Sequence, residues 1–142
     1  MTEIINKKLS DKVIGIAYLV HNSLGPGLLE SAYEKAFCVG LSHAGISFER
    51  QKPYHLHFLG EQVCTYVADL VIENSLIIEA KSVSQLTSEM EAQLINYLRL
   101  SGIEVGYLIN FRGTRLVFSR FVCTKNTLSF RSSRGKGSYN PS

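Results

Sequence analysis

The chain has 142 residues, 45% of them hydrophobic, which suffices for one domain with a buried core and leaves no room for a second. No apolar run reaches the length of a membrane span, and the opening MTEIINKKLSDK contains no secretory hydrophobic stretch, so a cytoplasmic protein without a membrane partner is expected. The three cysteines, Cys38, Cys64 and Cys123, are odd in number and far apart, which speaks against a zinc knuckle or disulfide framework and for free thiols. The net charge of +3 is unevenly spread. Beyond Glu104 stand Arg112, Arg115, Arg120, Lys125, Arg131, Arg134 and Lys136 with no acidic residue among them. A basic segment beside an acidic body suits a polyanionic partner, and equally suits an edge strand guarded by cations.

LSDKVIGIAYLVHNSLG places apolar residues at helical spacing behind a Ser10/Asp11 cap signal and predicts a first helix over roughly 10–24. After a Gly-Pro-Gly break, GLLESAYEKAFCVGLSHAG predicts a second, roughly 28–44, closed by Gly45. Strands are expected near 47–52, 54–59, 62–72 and 76–82, with turns at Gly60-Glu61 and Glu73-Asn74-Ser75, as an antiparallel meander. TSEMEAQLINYLRLSG reads as a third helix ending at Gly102, followed by strands in EVGYLINF, TRLVFSRFV and TLSFR. Residues 1–131 are expected to form the domain, and 132–142 have the composition of a disordered basic tail.

Within the apolar run YVADLVIENSLIIEAKS, the charged residues Asp69, Glu79 and Lys81 are out of place unless something pairs with them. A two-residue loop at 74–75 would turn the two carboxylates to opposite faces of the sheet. A three-residue loop, 73–75, sets Asp69 opposite Glu79, with Lys81 on the same face. Two adjacent carboxylates repel unless a proton or cation intervenes, and hard oxygen donors suit Mg²⁺ or Mn²⁺. A self-neutralising ion-pair cluster is the structural alternative.

Asp69 followed across a hairpin by Glu79-Ala80-Lys81 resembles the D…(D/E)xK core of the PD-(D/E)XK nuclease superfamily. GLLESAY at 27–33 matches the GxxExxY pattern of one small bacterial family within it, and Gln93 and Tyr97 resemble the QxxxY of the RecB-like exonuclease branch. Ala68 stands where the superfamily name has proline, and Ala80 fills a free position, so no functional group is lost. The resemblance covers about residues 10–112. It implies an α/β domain of restriction-endonuclease-like fold, a mixed central sheet flanked by helices in the order α-α-β-β-β-β-α-β-β, and a metal-dependent nuclease hydrolysing phosphodiester bonds, DNA ahead of RNA.

On that reading Asp69, Glu79 and the Ala80 carbonyl hold Mg²⁺ or Mn²⁺. Glu30, Asp69, Glu79, Lys81 and Gln93 form the catalytic set, and Tyr33, Tyr97, Arg112 and Arg115 contact the substrate. Glu30 also has a plain role as a carboxylate at a helix N-terminus, and Tyr97 as an aromatic packed on the sheet. His55 and His57 are expected to point outward, and His21 sits near the end of the first helix, where it has a route to the active face. GPG lacks the Lys-Ser/Thr of a phosphate loop. The alternative function is a catalytically silent module of the same fold that binds nucleic acid or a partner protein; a homodimer is left open.

Overall fold

The computed structural model describes residues 6–124, 130–134 and 137–139. Two helices come first, α1 (Lys7–Leu24) and α2 (Glu30–His43), then three strands, β1 (Phe48–Phe58), β2 (Glu61–Ile72) and β3 (Leu76–Lys81). A third helix, α3 (Ser88–Ser101), leads to β4 (Val105–Asn110), β5 (Val117–Cys123), β6 (Phe130–Arg134) and β7 (Gly137–Tyr139). The seven strands form one sheet in sequence order. Only β3 and β4 run parallel, with α3 as their crossover; all other neighbours are antiparallel.

Strand alternation sorts the core into two layers. Leu76, Ile78 and Ala80 of β3 with Val105, Tyr107 and Ile109 of β4 pack against Val13, Ala17, Tyr33, Phe37 and Leu41 of the first two helices. Ile77 and Leu108 face the other way, against Leu94, Tyr97 and Leu98 of α3. Two glycines permit close approach, one between α1 and α2 and one between the sheet and α3. A Cβ on Gly40 would lie 2.7 Å from Ile16 of α1, and one on Gly106 would lie 2.9 Å from Leu94 of α3. Thr87 caps α3 by accepting the Met90 N–H, and Gly102 closes it in the left-handed conformation, φ 76°.

Several expectations are corrected. The strands expected at 47–52 and 54–59 are one strand, so three strands precede α3 and four follow it. Pro53 does not divide β1 because β1 is an edge strand, where a missing N–H costs no ladder bond. The Ser10/Asp11 cap is not used: α1 begins three residues earlier, Ser10 is buried within it, and Asp11 pairs with Lys7 one turn back at 2.6 Å. Part of the stretch expected as a disordered tail, 132–134 and 137–139, is strand. Composition does not register the open edge of β5, on which β6 pairs. The rest of that tail lies outside the described residues.

Candidate active site

The β2–β3 hairpin has the three-residue loop, with Ile72 opposite Leu76 and Leu70 opposite Ile78. Glu73 and Asn74 take positive φ, 51° each, to close it. Continuing that register sets Asp69 opposite Glu79. The regular ladder stops one pair short of them, and the side chains take over: the Asp69 N–H donates to Glu79 Oε2 at 2.8 Å, and the Ala80 N–H donates to Asp69 Oδ2 at 3.1 Å. Each carboxylate thereby anchors one oxygen on the neighbouring strand. The Ala80 N–H points to the β2 side, and a strand residue's carbonyl lies on the same edge as its N–H, so the Ala80 carbonyl is turned toward Asp69.

Glu79 is 3% exposed and Asp69 half-buried. Burial and the Asp69 charge push the Glu79 carboxyl up to about 8, with Lys81 opposing. Burial, followed by the Glu34 charge, raises Asp69 to about 6, and Lys81 again opposes. No ion pair within 4 Å joins Lys81 to either carboxylate among the described residues. The three charges therefore do not form the self-neutralising cluster weighed above; the pair is short of positive charge.

The surrounding elements close on this point. Lys81 lies beside Asn110 at the matching ends of the parallel strands β3 and β4. Asn110, buried and unremarked in the sequence, accepts the Val83 N–H at 3.1 Å and donates to the Val83 carbonyl at 2.9 Å, clamping the chain after Lys81. Glu30 is the first residue of α2 and exposed, its carboxylate 3.4 Å from the Ser82 N–H. Tyr97 on α3 is buried against Tyr66, ring centroids 6.0 Å apart. Burial and the charges of Glu79, Asp69 and Tyr66 raise its hydroxyl pKa, against the Gln93 amide, so it stays a protonated donor. Gln93 itself is exposed.

Tyr33 is fully buried, stacked on Phe111 at 4.8 Å and 12°. Its hydroxyl donates to the Gly25 carbonyl at 2.6 Å and accepts from the Leu28 N–H at 3.0 Å. These contacts are with the loop that delivers Glu30, not with open space. His21 is likewise structural, its Nε2 2.7 Å from the Gly113 carbonyl. Together with the Gly27 N–H donating to the Arg112 carbonyl, it ties the end of α1 and the loop before α2 to the loop after β4, on which Arg112 and Arg115 are exposed. Of the other histidines, His55 is exposed and bonds Thr65.

A profile of the PD-(D/E)XK nuclease superfamily matches residues 7–121, most of the chain and all of the site just described. The chain belongs to the PD-(D/E)XK nuclease superfamily. No curated protein and no solved structure matches it significantly. The α-α-β-β-β-α-β core, a mixed sheet flanked by helices, is the restriction-endonuclease-like form of that superfamily. Such a domain implies a nuclease-type function acting on nucleic acid, and no helix among the described residues is long and apolar enough to cross a membrane.

PD-(D/E)XK nucleases generally use divalent metal ions. Among the described residues no three His, Cys, Asp or Glu side chains converge to hold one unaided. Two carboxylates with a carbonyl are nonetheless a fitting donor set for a small hard cation that keeps much of its water. Burial first, and then the charges of neighbouring carboxylates, raise the proton affinity of both carboxyls, and a cation placed between them would relieve that repulsion. The sequence reading missed Glu34, whose charge reaches both carboxylates. The available signal was its place one helical turn after Glu30 on α2.

Proposed function

We propose that this domain is a Mg²⁺- or Mn²⁺-dependent nuclease of the GxxExxY kind, and that it hydrolyses phosphodiester bonds, in DNA rather than RNA. The observation that carries the reading is the interruption of the β2–β3 ladder by two carboxylates, anchored on each other's strands in a half-buried, positively deficient site. Such an arrangement is costly in a scaffold and is useful around a cation.

Asp69, Glu79 and the Ala80 carbonyl would hold the ion, which when bound supplies Lewis-acid polarisation of the phosphoryl group. Lys81, unpaired with either carboxylate, orients the attacking water and offsets charge as it develops on the phosphoryl oxygens. Glu30, delivered by the loop that Tyr33 locks, is the group available to accept the water's proton. Tyr97 with Gln93 presents hydroxyl and amide donors on the α3 side. Arg112 and Arg115 stand exposed at the end of β4 next to the site and contact backbone phosphates.

Purified protein given single- and double-stranded DNA and RNA should cleave at least one DNA substrate with Mg²⁺ or Mn²⁺. It should stop on chelation and resume when the ion is restored. Metal-independent cleavage, or none on any substrate, contradicts the reading and leaves the silent binding module as the function.

A further inference from the structure

Five described non-glycine residues have positive φ: Asn6, Gln51, Leu59, Glu73 and Asn74. Four sit at a helix start or in a hairpin loop, where the conformation has an ordinary use. Gln51, φ 52°, alone lies inside a strand. Its neighbours keep their register, Arg50 opposite Leu70 and Lys52 opposite Ala68, so the residue that Gln51 faces across the ladder is Asp69. The one left-handed residue within a described strand thus adjoins the aspartate of the site, at the position where β1 and β2 fail to pair.

That conformation is held from α2. Gln51 Nε2 donates to Glu34 Oε1 at 2.9 Å, and Arg50 Nε donates to Glu34 Oε2 at 2.7 Å. Glu34 is 7% exposed, so both oxygens of a buried carboxylate are committed to two consecutive residues of the edge strand. Strained backbone persists where the surroundings over-determine it and concentrates at functional sites. Here the restraint consists of a buried charge, a charge-assisted bond and an amide, and all three bear on the stretch of β1 that flanks Asp69.

We propose that Glu34 is a positioning residue for the metal site, acting through the left-handed Gln51 to keep the edge strand open opposite Asp69, so that the Asp69 carboxylate remains across from Glu79 for the ion. The inference rests on the metal-binding reading above and adds to it a supporting layer that none of the signature residues supplies. Outer-layer partners of this kind tune metal affinity without touching the metal.

The test is titration of Mn²⁺ into the metal-free full-length chain by calorimetry, alongside its thermal unfolding. Gln51→Gly accepts the positive φ but loses the amide. Gln51→Asn also tolerates it, on a stem too short to reach Glu34, and carries the test should the glycine variant not fold. Each is expected to weaken Mn²⁺ binding by about ten- to a hundredfold while metal-free unfolding stays close to the parent's. Glu34→Gln is expected to weaken it as well, and the Glu34→Gln/Gln51→Gly double variant to lose clearly less than the two single losses combined, because they share one route. Gln51 variants that bind Mn²⁺ within about twofold of the parent overturn the inference and leave the nuclease reading standing. Additive losses overturn the coupling through Gln51. A parent chain that binds no Mn²⁺ overturns both.

Discussion

Glu79→Gln should reduce metal-dependent cleavage to background while the metal-free protein becomes more stable at pH 8. The amide keeps the length of the side chain and an oxygen to accept the Asp69 N–H, which Glu79 now takes at 2.8 Å. Its NH₂ group can donate to Asp69 where a carboxylate repelled it. The substitution removes the charge that draws the cation and, with it, a buried like-charge contact. Lys81→Ala should separate the roles, cutting turnover by about 10² to 10⁴ while Mn²⁺ still binds, since Lys81 is placed to act on the water rather than the ion. Its ammonium is the opposing positive charge for both carboxyls, so that variant should also be less stable at alkaline pH. Steady-state cleavage and thermal melts of the three proteins decide the matter. Full cleavage by Glu79→Gln would remove Glu79 from the site.

The second large effect is a pH dependence of stability in the absence of metal. Asp69 is raised from 3.8 to about 6 and Glu79 from 4.5 to about 8, so between these limits the folded chain holds protons that the unfolded chain has released. Stability then falls as pH rises. The contribution is fully present below about pH 4, where both carboxyls are protonated in either state, and is lost as pH passes through the folded values near 6 and 8. The loss is on the order of a few kcal/mol, equivalent to roughly ten degrees in melting temperature for a domain of this size. Saturating Mn²⁺ should restore most of it at pH 8. Unfolding curves from pH 5 to 8.5 with chelator and with Mn²⁺ check this. In Glu79→Gln the slope should be much shallower; an equally steep slope would place the titrating groups elsewhere.

The elements that position the site were legible in the sequence where local chemistry and the global fold agree. The period-2 runs around Asp69 and Glu79, joined by a segment with two turn-forming residues, allow only two registers. A loop of three residues at 73–75 is the one that brings the carboxylates together. The i, i+4 spacing of Gln93 and Tyr97 likewise determines that they share a face of α3. What the sequence did not disclose depends on contacts between distant segments. Tyr33 has the appearance of a motif residue available to substrate, yet Phe111, some eighty positions away, covers its ring. Glu34 looks like one more helix-surface acid until Arg50 and Gln51 arrive from an edge strand. No propensity places a glutamine left-handed in mid-strand; only tertiary restraint does so. Asn110 carries no signal of its own, since its importance comes from lying next to Lys81 across a parallel pair formed around α3.

Asp69 and Glu79 are proposed to hold a divalent cation, and a Mn²⁺-soaked crystal with anomalous scattering measured near the manganese edge would locate it. An anomalous peak is expected between the Asp69 and Glu79 carboxylates, about 2.2 Å from an oxygen of each and within reach of the Ala80 carbonyl. The same soak of Glu79→Gln should lack that peak. A peak confined to the exposed histidines of β1, or none at the β2–β3 hairpin at full Mn²⁺ exposure, would contradict it.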